Sequence, residues 1–246
     1  MSQNHIVDEY QRSMIAGNKI ESGEKIMTQT NAISINNDIA NMKAWLAEMP
    51  DTESVANFVP GPGIHKLELK FDVEKLRGAL EIALQRTEFK GDLAAGFGAF
   101  SLTRRPGVEV ETANDLSGLF HTRVDDSYEE VAREEEVNEH AFTEFVPKFA
   151  GTYFEEVHQE LTKRFKIGRM RVLSKGLYNC NSWHRDPEPR LHIPIISNPG
   201  SLFIVNHHVT HLPADGSVYF TDTRGYHTAL NGGESHRVHI VAALPL

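Results

Sequence analysis

A chain of 246 residues, 40% hydrophobic and 24% charged, can bury one sizeable core and has the balance of an ordinary globular domain. Its net charge of -9 argues against nucleic acid and anionic membranes as partners, since both are polyanions that favour basic surfaces. There is no long uncharged apolar run and no Lys/Arg-led apolar start, so neither a membrane span nor a secretory signal is expected.

Residues 1–55 read as an N-terminal extension. They are polar and lack a period until Asn37 to Met49, which predicts a short helix stopped by Pro50. Residues 56–246 read as one domain. Pro60-Gly61-Pro62-Gly63 is a chain breaker. His65 to Asp72 then alternates, with Leu67, Leu69 and Phe71 on one face of a half-buried strand. Val73 to Arg86 follows as a helix with Leu76, Leu80, Ala83 and Leu84 on one stripe. The glutamates of residues 127–137 predict a solvated helical face. Phe145, Phe149, Tyr153, Val157 and Leu161 recur every four residues, which predicts a long amphipathic helix from Phe142 to Phe165, with Pro147 near its first turns.

From Arg169 the texture changes to short runs of Val, Ile, Phe and His between turns. Strands are expected near 169–175, 190–196, 202–209, 217–221 and 236–244. The breaks fall at Gly176, Asn198-Pro199-Gly200, Ala214-Asp215-Gly216 and Asn231-Gly232-Gly233. Short strands at close spacing indicate a sandwich or barrel, with its chemical part at about 169–246. The single cysteine, Cys180, permits no internal disulfide, and a reducing cytoplasm suits it. The 13 histidines direct attention to a metal site.

His184-Arg185-Asp186 is a His-x-Asp. In an extended segment residues i and i+2 face the same side, so this imidazole and carboxylate can grip one ion together. His227, 41 positions on, can return across a barrel to complete a two-histidine, one-carboxylate face. Such a face leaves three octahedral positions open, as in non-heme iron(II) oxygenases, which bind co-substrate and O2 together. A structural zinc site closes its shell with four ligands, often cysteines, and here there is one cysteine. A His-x-Asp arises by chance in a histidine-rich chain, and any downstream histidine could be nominated third. Arg237, ten residues after His227, adds weight. In His236-Arg237-Val238-His239-Ile240-Val241, Arg237 and His239 share one face and Val238 and Ile240 the other. A guanidinium turned into a barrel needs an anion, and the distal carboxylate of 2-oxoglutarate fits its planar fork. Pairing with Glu234 is the plainer alternative. Arg190 and His192 share a face in Arg190-Leu191-His192-Ile193-Pro194 and can offer donors to the keto-acid end or to an acidic substrate group.

At His184-x-Asp186, Arg190-Leu191-His192-Ile193-Pro194, Asn198-Pro199, and His227-x-x-x-Asn231 leading to Arg237-x-His239, the chain resembles the aspartyl/asparaginyl β-hydroxylase family. The resemblance covers about residues 169–246. It implies a mostly β, double-stranded β-helix (cupin-like jelly roll) fold with flanking helices. It also implies iron(II), and hydroxylation of a small molecule or peptidyl side chain coupled to conversion of 2-oxoglutarate and O2 to succinate and CO2. By position it makes His184, Asp186 and His227 the metal ligands and Arg237 the distal-carboxylate partner. It places Arg190 and His192 beside the co-substrate and Ser174 as a hydroxyl donor. Because Asp186 is kept, the chain is more similar to the bacterial small-molecule branch than to the animal enzymes that act on protein domains, and halogenation is disfavoured.

His207, His208 and His211 form a second cluster, read mainly as surface or pocket residues. Cys180 reads as a small core residue, and Trp183 and Tyr226 as walls of the site. Two other readings stand beside the oxygenase: a non-catalytic cupin-like module that binds a metal or an acid, and a different cupin enzyme such as an isomerase or zinc hydrolase. Neither the substrate nor the oligomeric state follows from the sequence.

Overall fold

The computed structural model describes Ala40 and residues 61–116, 122–124, 129–132 and 137–245. The chain divides into two units, Met1–Glu53 and Ser54–Leu246. Of the first unit only Ala40 is described, in helical conformation, so the arm and the rest of the helix expected from Asn37 to Met49 lie outside the described residues.

The second unit runs, among the described residues, β1 (Ile64–Lys70), α1 (Val73–Arg86), β2 (Phe97–Ser101), β3 (Thr103–Arg104), α2 (Ala113–Leu116), β4 (Thr122–Val124), β5 (Glu130–Ala132), β6 (Glu144–Phe145) and α3 (Tyr153–Thr162). It continues β7 (Met170–Lys175), β8 (Asn179–Cys180), β9 (His184–Arg185), β10 (Arg190–Ile196), β11 (Ser201–Val205), β12 (His208–His211), β13 (Ser217–Thr221), β14 (His227–Asn231) and β15 (Arg237–Ala243). One sheet has the order β1-β13-β10-β15-β7-β2 and the other β12-β11-β14-β9-β4-β5, with β8 beside β14. The pairings are antiparallel. Two such sheets, joined by long crossovers between non-consecutive strands, make a cupin-like jelly roll.

Strand alternation gives the first sheet two unlike faces. On its outer face Leu191, Ile193, Val172, Val238 and Ile240 pack against Leu76, Leu80 and Ala83 of α1 and Phe154, Val157 and Leu161 of α3. The helices form because each carries an apolar stripe for this face. Asp72 starts α1, its carboxylate accepting from the N–H groups of Glu74 and Lys75 at 3.0 and 3.1 Å, a cap worth about 1 kcal/mol. The inner face meets the second sheet through a smaller cluster that includes Ile64, Phe203, Val205, Tyr219 and Ala229. The site lies on this inner face.

Three sequence expectations are corrected. The long helix from Phe142 to Phe165 exists only from Tyr153 to Thr162. Before it, Glu144–Phe145 is a strand and Pro147–Phe149 a 3-10 turn, and Gly151 has φ +74. Proline lacks the donor an ongoing helix needs, and a left-handed glycine ends regular structure. Phe149 is still fully buried, which is why the four-residue spacing persisted through the break. Within residues 127–137, Glu130–Ala132 is a strand paired with β4, not a helical face. The run 202–209 is broken at Asn206 and His207, whose φ values of 48 and 70 turn β11 back on β12 as a hairpin. Among the described residues no helix is long and apolar enough to cross a membrane.

Candidate active site

β9 and β14 pair so that His184 stands directly opposite His227, with ring centroids 4.2 Å apart. Each Nδ1 lies against a backbone carbonyl two residues earlier, that of Ser182 at 2.7 Å and that of Gly225 at 3.0 Å. A carbonyl only accepts, so both Nδ1 atoms carry the proton and both Nε2 atoms keep a lone pair. Asp186 is fixed by its own N–H, which donates to the carbonyl of Thr223 at 2.8 Å. The three ligand atoms all lie within 4.8 Å of one another. Asp186 Oδ2 is 3.4 Å from His227 Nε2.

The charge state suits a cation. Asp186 is 3% exposed, and neither carboxylate oxygen accepts a well-directed hydrogen bond. Burial pushes its pKa up, but Arg190 first, and then the two histidines, hold it at about 2. Burial, reinforced by His227, lowers His184 to about 4. The cluster therefore offers one carboxylate and, opposite each Nδ1–H···O=C contact, a lone pair on each Nε2, a donor set that fits a divalent transition metal. Arg190 Nε lies 3.0 Å from Asp186 Oδ2, and its NH2 donates to Glu188 Oε1 at 3.2 Å. The guanidinium thus braces a carboxylate of the cluster, a different set of partners from the co-substrate position that the resemblance implied for it. Glu188 carried no sequence signal for this.

Beyond Arg190 the inner face of β10 and β15 holds His192, His239 and Arg237. His192 stands opposite Val241, and Pro194 opposite His239. Among the described residues, both ring nitrogens of His192 are buried without a hydrogen-bond partner, as is Nε2 of His239. Burial first, then Arg237, pushes both imidazoles well below their ordinary pKa, so both are neutral. Arg237 NH2 donates to His239 Nδ1 at 2.9 Å. The proton of His239 therefore sits on Nε2, as a buried donor with no acceptor. Arg237 is 5% exposed. Among the described residues no carboxylate lies within ion-pair distance of it, and Glu234 instead accepts from Tyr178 Oη at 3.4 Å. Burial lowers the Arg237 pKa to about 10.

Ser174 is placed elsewhere. It stands opposite Val238 and Gly98, on the face turned to the helices, and its Oγ is 3.4 Å from His236 Nδ1. Alternation sends residues 174 and 175 to opposite faces, so the β7 residue that faces Arg237 is Lys175. Ser174, expected as a hydroxyl donor on this strand, thus does not share the face of Arg237. Lys175 was missed because its register with Arg237 is a long-range fact.

The second histidine cluster does not assemble. His207 lies in the hairpin turn, and His211 Nδ1 donates to the Ser201 carbonyl at 2.9 Å. Cys180 is exposed, not a core residue; it lies on the short strand β8, opposite Leu230 of β14. Trp183 is exposed beside His184, and the Arg185 guanidinium sits 5.4 Å from the Tyr226 ring.

No protein-family model matches the chain, and no curated protein matches it. Among solved structures it is similar to an oxidoreductase of the 2OG-Fe(II) oxygenase family from Burkholderia pseudomallei, at 13% identity over 74% of this chain and 83% of that one, with a TM-score of 0.46. It is also similar to the viral collagen prolyl hydroxylase vCPH from Paramecium Bursaria Chlorella virus-1, solved as its 2OG complex, at 10% identity over 77% and 97%, TM-score 0.42. A third is AviO1 from Streptomyces viridochromogenes Tue57, at 14% identity over 75% and 92%, TM-score 0.39.

Proposed function

We propose that this chain is an iron(II)- and 2-oxoglutarate-dependent dioxygenase that hydroxylates an amino-acid-like small molecule or a peptidyl side chain. The observation that carries the reading is the conjunction of the His184, Asp186, His227 cluster with a buried guanidinium, Arg237, that meets no carboxylate among the described residues. In this reading His184, Asp186 and His227 hold the iron from one side. Bound there, iron(II) supplies the oxygen chemistry that couples decarboxylation of 2-oxoglutarate to substrate hydroxylation, with release of succinate and CO2. Arg237 binds the distal carboxylate of the co-substrate as a planar fork. His239 donates from Nε2 into the same space, and His192 orients the keto-acid end. Arg190 keeps Asp186 ionised and in place. Among known families we place the chain nearest the aspartyl/asparaginyl β-hydroxylases, on the side that retains the aspartate, and in a reducing cytoplasm.

A metal-binding module without catalysis gives Arg237 and the unsatisfied donors around it nothing to do. The test is a screen of free amino acids, small amines and peptides for substrate-dependent succinate release from 2-oxoglutarate. Release that needs iron(II), O2 and one substrate class is the expected result. No release with any class, together with no binding of 2-oxoglutarate, returns the module reading.

A further inference from the structure

Lys175 and Arg237 form a cross-strand pair on β7 and β15, with side chains on the same inner face. Directly opposed residues have Cβ atoms about 5 Å apart, and like charges so placed repel. Lys175 is 4% exposed and Arg237 5%. The described partners of Lys175 Nζ are neutral: Asn179 Oδ1 at 2.8 Å and, more closely, Asn181 Oδ1. Two cations are thus buried side by side, and among the described residues no carboxylate answers them. A fold accepts such an arrangement only where an anion completes it. The donors around the pair point the same way, since His239 Nε2–H is also left without an acceptor.

We propose that Lys175 joins Arg237 as a second cation in the seat for the distal carboxylate of the co-substrate. This rests on the 2-oxoglutarate reading above. Arg237 takes the carboxylate edge-on as a fork. Lys175 adds a point charge from the neighbouring strand, steadied by Asn179 and Asn181. The asparagines matter because they orient Nζ without neutralising it.

The test is calorimetric titration of the full chain, loaded with iron(II) without oxygen, with 2-oxoglutarate and with 2-oxobutyrate, which keeps the keto acid and lacks the distal carboxylate. Lys175→Met should weaken 2-oxoglutarate at least roughly 10-fold, as for loss of one partner of a buried charge pair, and leave 2-oxobutyrate within about twofold. Asn181→Asp is the second variant. It places a carboxylate on Lys175 Nζ and should lower 2-oxoglutarate affinity in the same selective way with the lysine still present. Equal 2-oxoglutarate affinity in both variants and wild type overturns the seat while leaving the functional reading intact. A parallel loss for both keto acids overturns it as well, because structural damage is then sufficient. A wild-type protein that binds neither acid overturns the functional reading and this inference together.

Discussion

Replacing Arg237 by Met removes a buried charge and keeps a long, unbranched side chain in its place. The guanidinium pKa falls from 12.5 to about 10 because it is desolvated. At about 1.4 kcal/mol per pH unit, the ligand-free fold carries a penalty of about 3 kcal/mol for holding that charge. The substitution also deletes the bond to His239 Nδ1, worth about 1 kcal/mol. The net expectation is a ligand-free protein more stable by about 2 kcal/mol, seen as a rise in Tm of about 4–8 °C for a domain of this size. The same substitution should weaken 2-oxoglutarate by about 2–5 kcal/mol, roughly 30-fold to several-thousand-fold, because a distal carboxylate is left buried without its fork. Arg237→Lys should lose less, keeping the charge without the fork. Stability gained with binding lost is the signature of a residue retained for a ligand. Thermal unfolding of ligand-free variants and keto-acid titration of the iron(II) forms measure the two halves. An Arg237→Met protein that is less stable, or that binds 2-oxoglutarate as tightly as wild type, refutes the reasoning.

Asp186→Ala removes the one anion among the three grouped side chains, so iron binding and turnover should be lost while the circular dichroism of the fold stays unchanged. Normal oxidation by this variant would show the ligand set to be wrong. Burial first, then Arg237, lowers the Lys175 pKa to about 8, with the Cys180 thiol opposing, and Arg237 and Cys180 are the ionisable groups coupled to it. A bound carboxylate favours charged lysine, so 2-oxoglutarate affinity should fall as pH rises through about 8 while 2-oxobutyrate affinity stays flat; a flat profile for both counts against a role for Lys175. In the ligand-free fold the sign reverses: with the folded pKa below the unfolded 10.5, stability should rise between about pH 8 and 10.5 in wild type and not in Lys175→Met. Gly151→Ala, at φ +74 with open space around the new Cβ, should cost about 1 kcal/mol by backbone strain alone, read by urea denaturation. Removal of residues before Asn37, which lack periodicity, should leave 2-oxoglutarate affinity unchanged, and a loss of affinity would give that arm a part in the pocket.

What could be read from the sequence was what strand and helix periodicity encode locally. Leu191, Ile193, Val238 and Ile240 alternate with Arg190, His192, Arg237 and His239, and that alternation alone separates the helix-packed face from the inner one. The apolar stripe of α1 marks that helix from Val73 to Arg86. β14 was not foreseen, because His227, Thr228 and Asn231 make it too polar to resemble a strand, yet it brings His227 opposite His184. The register of β7 against β15 depends on residues more than sixty positions apart, so the sequence alone does not show that Lys175 is the neighbour of Arg237. Nor could it reveal that Arg190 turns to Asp186 and Glu188, since that depends on how β9 approaches β10. Pro147 is visible punctuation in the sequence, but the aromatic spacing around it serves the core without forming one helix.

The most direct test of the central claim is an anaerobic titration of the iron(II)-loaded protein with 2-oxoglutarate, followed in the visible spectrum. A weak charge-transfer band that saturates with 2-oxoglutarate, is absent in Asp186→Ala, and needs far more ligand in Arg237→Met is the predicted result. A wild-type protein that binds iron(II) yet gives no band and no saturable binding of 2-oxoglutarate would contradict the account.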